Sequence, residues 1–305
     1  MARLHGGGRC KGQSMAWRSI ADLVSHSGEV ALLGAPMEAG SVTPGRCDLA
    51  PATLRRTLKR FSTYDVETGA ELDLALADLG DVPVQGLMPA DGYEPIRSAA
   101  SEAVAGHGLT LLIGGNNAVT RPAAHALGVP IERVGLITLD AHFDLRETDQ
   151  GLLNGNPIRA LLEDGLPGRN ICQVGLAPFA NTRKMHDDAK AAGIGVYAIG
   201  ACLERGIVAV LEEALARLSH TEAVMIDFDI DVIDRSQCPG APGARPGGMP
   251  VRMFFEAARF LGAHEQVRLA DLTEFDPSLD VGEITALTAG RWVCEMLAGF
   301  AQRAP

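Results

Sequence analysis

Two short stretches set carboxylates at alternate positions directly behind an apolar run. In LITLDAHFDLRE, residues 136–147, these are Asp140, His142 and Asp144, followed by Arg146. In VMIDFDIDVID, residues 224–234, they are Asp227, Asp229 and Asp231. In extended chain alternate side chains share one face, so each stretch presents its acids side by side. Crowded carboxylates raise one another's pKa, and burial raises it further. Buried carboxylates stay ionised only when they are paired or hold a metal. Lysine is scarce near both stretches, which leaves a pair of divalent cations as the economical solution. Donors that are mostly oxygen with one imidazole favour Mn²⁺ or a similarly hard ion over structural zinc. One such cluster also reads as solvated surface acids; two, each behind a strongly apolar strand, do not.

The elements that would position these clusters alternate along the chain. Strands are expected at 30–34, 74–79, 109–113, 134–139, 171–175, 195–199, 224–229 and 267–272. Several are apolar throughout, as strands covered on both faces are. Helices are expected at 51–60, 93–106, 122–127, 158–163, 185–192, 207–218, 252–260 and 288–302. This order predicts an α/β protein, a three-layer α/β/α domain with a central, mostly parallel sheet. Right-handed crossovers place every strand's carboxyl end on one edge, and ligands bind beyond that edge in open α/β sheets. The segment DRSQCPGAPGARPGGMP, 234–250, excludes helix and central strand by its prolines and glycines. A loop that long in a compact domain points to function, and it directly follows the second acidic cluster. No internal repeat or long linker is present, so residues 28–305 read as one domain and 1–27 as an extension of uncertain order.

The chain has 305 residues and a formal net charge of −11, which argues against nucleic acid or an anionic membrane as partner and leaves a small molecule. No run approaches the roughly 20 apolar residues of a membrane span. The amino-terminal stretch carries positive charge without an apolar core, so a cytoplasmic location is expected. Six scattered cysteines without a CxxC suit thiols in a reducing compartment. No glycine-rich dinucleotide fingerprint, phosphate-binding loop or Gly-x-Ser-x-Gly elbow appears.

DAHFD together with DFDIDVID and the Pro/Gly loop resembles the ureohydrolase superfamily of arginases, agmatinases and formimidoylglutamases, over nearly the whole chain. The family's Gly-Gly-Asp-His-Ser motif matches IGGNNAVT here, behind the strand 109–113. The resemblance implies an arginase-like fold, a binuclear manganese site and a homotrimer or homohexamer. Carried over by position, Asp140 and Asp229 would bridge two ions, Asp144 and Asn117 would complete one site, and His142 and Asp231 the other. The four aspartates supply −4 against +4. Asn117 stands where the family has histidine; its amide oxygen is a weaker donor, so that ion is expected to bind less tightly. Asp227 matches no ligand and reads as a residue behind the site or simply as part of the strand. Such ions acidify a water that attacks a planar C=N carbon; Asp144 would orient the attack and Glu274, in LTEFDP, would hold the cationic nitrogen.

The departures bear on the substrate. DAHFDLR resembles the formimidoylglutamase version of its motif. Asn154, in NGNPIRALLE, replaces a histidine that arginases and agmatinases are thought to use for protons, which implies a different leaving-group problem. N-formimidoyl-L-glutamate, an intermediate of histidine degradation, would need cationic anchors for its carboxylates; the candidates are Arg146 and Arg159, with Arg245 ranked behind them, and a surface ion pair is the alternative for each. Cys47 and Cys238 flank segments at the family's active-site rim, where a redox-sensitive disulfide is one reading and two inert thiols the other. The leading expectation is a manganese-dependent formimidoylglutamase. A guanidino hydrolase releasing urea and a non-catalytic metal-binding homologue remain the alternatives.

Overall fold

The structure, a computed structural model, describes residues 17–303. In chain order the strands are β1 (Val24–Ser25), β2 (Val30–Ala35), β3 (Tyr64–Asp65), β4 (Ala70–Glu71), β5 (Leu76–Asp81), β6 (Leu109–Gly114), β7 (Val134–Leu139), β8 (Ile171–Leu176), β9 (Gly195–Ala198), β10 (Ala223–Asp229) and β11 (Val267–Thr273). The helices are α1 (Ala50–Thr57), α2 (Pro89–Gly106), α3 (Thr120–Ala124), α4 (Pro157–Glu163), α5 (Arg183–Ala192), α6 (Ile199–Arg205), α7 (Ile207–Leu218), α8 (Val251–Gly262) and α9 (Ile284–Phe300). Nine strands form one sheet in the order β1-β5-β2-β6-β11-β10-β7-β8-β9. Every pairing in it is parallel, while β3 and β4 make a separate antiparallel ribbon.

Alternation along the strands builds the three layers. Val30, Leu32, Leu111, Ile137, Ile226 and Phe228 face a core closed by α1 and α6 to α9. Leu33, Ala35, Leu112, Leu136 and Met225 face the opposite core, closed by α2 to α5. With helices on both faces, β2, β6, β7, β8 and β10 are buried at every position, hence their near-continuous apolar sequence. Among the described residues no helix is long and apolar enough to cross a membrane.

Three expectations need correction. The fold begins before residue 28: Ile20 and Leu23 are buried, Val24–Ser25 pairs with β5, and Asp22 caps this turn through a 2.7 Å bond from the Ser19 amide. Residues 1–16 of the expected extension lie outside the described residues. Helix α2 starts at Pro89 instead of 93, with proline at its first position, where no amide proton is needed. The reading also missed α6, which follows β9 without a loop and stops at Gly206, whose φ of 82° suits glycine.

The fold also explains the grouping of motifs. Strands β6, β11, β10 and β7 are consecutive in the sheet. Asn117, Glu274, Asp229 and Asp140 follow or end those four strands. On one side β2 leads outward to β5, and on the other β7 leads outward to β8, so the motifs meet at the topological switch point.

Candidate metal centre

At this point Asn117, Asp140, Asp144, Asp229, Asp231 and Glu274 are all buried. One donor atom each from Asp140, His142 and Asp231 lies within 4.8 Å of the others. His142 Nδ1 stands 3.3 Å from Asp140 Oδ1 and 3.1 Å from Asp231 Oδ2. Backbone amides orient the acids: His142 N donates to Asp140 Oδ1 at 2.6 Å and Asp231 N to Asp229 Oδ1 at 2.9 Å. Asp144 accepts from Asn117 Nδ2 at 2.7 Å. Glu274 Oε1 accepts both Asn117 N, at 2.7 Å, and Asn154 Nδ2, at 2.9 Å. Those bonds leave Oε2 for a ligand.

The electrostatics call for positive charge. Burial, then neighbouring carboxylates, push Asp140 and Asp229 well above the ordinary range. Burial pushes Asp144 up to about 6, although His142, Asn117 and Arg146 pull it down. Burial likewise pushes Glu274 up to about 7, against its two amide donors. Asp231 goes the other way: burial works to raise it, but the His142 charge and hydrogen bond prevail. Asp231 in turn is the main reason His142 is pushed up to about 12. Without metal, an imidazolium thus occupies the place of a cation among acids. Divalent ions would relieve the same repulsion and leave His142 neutral, as a ligand must be. The donor set therefore fits a pair of hard ions.

Asn117 fits with one adjustment. Its Oδ1 accepts from the hydroxyls of Thr120 (2.8 Å) and Thr273 (2.9 Å), and its amide nitrogen faces Asp144. A half-turn of the amide presents the oxygen instead, and both hydroxyls can accept as well as donate, so their bonds survive. These threonines were missed in the sequence, because neither stands in a motif. Asp227 lies inside β10, away from the cleft. It pairs in register with Asp271 of β11, and burial and Asp271 together hold it well above the ordinary carboxylate range. Burial pushes Asp271 to about 7. Asp227 thus sits within the strand, paired with Asp271.

A cavity of about 140 Å³ opens over the acids; Val42, Thr43, Arg146, Asn154, Asn181 and Arg245 contribute to its walls. Arg146 and Arg245 therefore reach the cleft, and Arg159 does not. Its position in α4 turns it to α5, where it ion-pairs with Asp188; it also bonds Leu145 O at 3.2 Å. Arg159 is a structural residue, and the ranking of the two outer arginines reverses. Asn154 lines the cleft, yet its side chain is engaged at both ends: besides Glu274, it accepts from Val42 N at 2.8 Å. Asn181, unremarked in the sequence, accepts from Phe143 N at 2.8 Å and donates to Ala141 O at 2.9 Å, bracing the first acidic segment. Cys47 and Cys238 are buried free thiols. Burial raises Cys47 well above its ordinary value and Cys238 to about 12, so both remain protonated at neutral pH.

Fold and site together define an open parallel α/β protein whose carboxylate cluster, at the switch point of its sheet, is built for divalent cations. The chain belongs to the arginase family, whose model matches residues 28–299. It is 32% identical to a formimidoylglutamase of Halalkalibacterium halodurans over 274 residues, covering 88% of this chain and 86% of the relative. The crystal structure of formimidoylglutamase from Bacillus subtilis superposes with a TM-score of 0.90 at 25% identity, over 100% of this chain and 97% of that one. A Trypanosoma cruzi formiminoglutamase crystallised with Mn²⁺ shares the fold, with a TM-score of 0.87 at 22% identity over 94% and 99% of the two chains.

Proposed function

We propose that this chain is a manganese-dependent formimidoylglutamase that hydrolyses N-formimidoyl-L-glutamate to L-glutamate and formamide. The observation that carries the reading is the cleft itself, an acidic floor beneath a rim with two arginines, Arg146 and Arg245. That is the complement of a cationic amidine with a carboxylate-bearing tail. Family membership and the formimidoylglutamase relatives support it.

Asp140, Asp144, Asp229, Asp231, His142 and the turned Asn117 amide would hold two Mn²⁺ ions. The ions would supply an acidified water and a counter-charge for the developing negative oxygen. Glu274 Oε2 binds the amidinium; with a carboxyl near 7, it is kept ionised by the cation it receives. Asp144 orients the attacking water and takes up its proton, which it returns to the departing glutamate nitrogen. Asn154 fixes Glu274 and ties it to the Val42 backbone, so the family histidine's place is taken by a positioning residue. Arg146 pairs with a substrate carboxylate. The reading extends to a cytoplasmic homotrimer or homohexamer serving histidine degradation, on the support of the resemblance.

The test is a product assay on the manganese-loaded protein with formimidoylglutamate, agmatine and 4-guanidinobutyrate. Formamide and glutamate in equal amounts are expected from the first. Urea from either guanidino compound, with no formamide, would instead indicate a guanidino hydrolase. Inertness toward all three would leave a non-catalytic homologue.

A further inference from the structure

Acidic residues outnumber basic ones 38 to 27 in this chain, so partners for arginine are plentiful. Yet neither Arg146 nor Arg245 makes an ion pair among the described residues, and both line the same cleft.

Arg245 is planted there by its loop. Gly243 packs directly on the site: a side chain at that position would overlap Asp231 Oδ2 and come within 3.1 Å of His142 Cε1. Arg235 straps the loop down, donating from Nη1 to Ala241 O at 2.7 Å and Pro242 O at 3.2 Å. The Arg235 amide donates to Arg245 O at 3.1 Å. Arg245 Nη1 is used within the loop, on Gly243 O at 2.7 Å and Ala244 O at 3.1 Å. The Nε–Nη2 edge is left for a bidentate carboxylate. Arg146 leans its stem on Gly155, where a β-carbon would stand 2.8 Å from its Cδ.

Resting on the function proposed above, we propose that Arg245 is the specificity-determining residue of this cleft, taking the γ-carboxylate of the substrate. Arg146 takes the α-carboxylate. The division follows from place. Arg146 comes two residues after Asp144 and rests on Gly155, whose neighbour Asn154 bonds Glu274, so it is near the reacting centre; the α-carboxylate is two bonds from the reacting nitrogen. Both arginines are exposed; Arg245 stands on the loop laid over the cleft and not on the strand end that carries Asp144, and is therefore assigned the far end of the substrate. The substrate class is then N-formimidoyl derivatives of acidic amino acids, with neutral and basic side chains rejected.

The experiment is calorimetric binding of L-glutamate and L-glutamine to the manganese-loaded protein and to Arg245→Met, Arg245→Lys and Arg146→Ala. A charged hydrogen-bonded pair is worth about 10- to 100-fold in affinity. The wild type is expected to prefer glutamate by that factor. Arg245→Met should reduce the preference to about threefold or less, and Arg245→Lys should restore part of it. Arg146→Ala should weaken both ligands together and keep the ratio. A wild-type ratio near one, or a preference that survives Arg245→Met, overturns the assignment. Turnover is read separately: failure to release formamide refutes the proposed reaction while the binding ratio still judges Arg245.

Discussion

Asp144 and Glu274, the two side chains given the chemistry, have φ values of 51° and 59°. Left-handed backbone costs an ordinary residue about 1–2 kcal/mol. Each lies just past a central strand and turns its carboxylate into the cleft, and such strain persists where the surroundings over-determine it. Here Asn117 reaches both, by side chain to Asp144 and by backbone to Glu274. In the proposed metal site, replacing it by histidine would exchange a weak amide donor for imidazole. Asn117→His should bind its ion about tenfold more tightly in a manganese titration, and equal affinities would show that Asn117 is no ligand. The acids and His142 stood out by their alternate spacing behind an apolar strand, whereas Asn117 and Glu274 were singled out only by the resemblance to the ureohydrolases; the fold brings all of them to one place. Arg159 was misread for a physical reason: alternation says which residues share a strand face, but not which way a helix turns its first residues.

The loop between Ile233 and Pro250 shows what an irregular element contributes. Prolines and glycines announced a loop with a function, yet not which glycine mattered. Gly243 matters because the backbone lies against Asp231. Gly243→Ala should therefore lower manganese occupancy to about one ion per chain, measured by elemental analysis, with the far-UV circular dichroism spectrum of the wild type. Two retained ions would mean that the loop can lift away at little cost. Strands were the most legible elements, since apolar runs covered on both faces leave little ambiguity. Helix α6 was hidden because it is short, starts at once after β9 and carries Gly200 in its first turn.

For the molecule as a whole, metal and stability are linked. Asp144 near 6 and Glu274 and Asp271 near 7 have folded values above their unfolded ones. Their contribution to the metal-free protein is full below about pH 4 and is lost as pH rises toward 7. Manganese binds the ionised carboxylates, so its effect grows over the same window. Two sites at a hundredfold excess over Kd give about 5 kcal/mol, or on the order of 10 °C at about 2 °C per kcal/mol for a chain this long. A thermal melt should show that increment at pH 7.5, much less at pH 5, and its reversal by chelator. A melting temperature indifferent to manganese and chelator at both pH values would sink the metal centre.

The strand order has a further consequence. Asn117 and Glu274 touch although 157 residues separate them, because β10 and β11, late in the chain, fill the gap between β6 and β7. While the polypeptide is still emerging from the ribosome, β6 and β7 have no neighbour on their inner edges and the acidic segments have nothing to converge on. Closure of the gap completes the sheet and gathers the ligands in one event. A half-synthesised chain therefore has no hydrolytic centre, and unpaired strand edges are the hazard it must survive until its last quarter arrives.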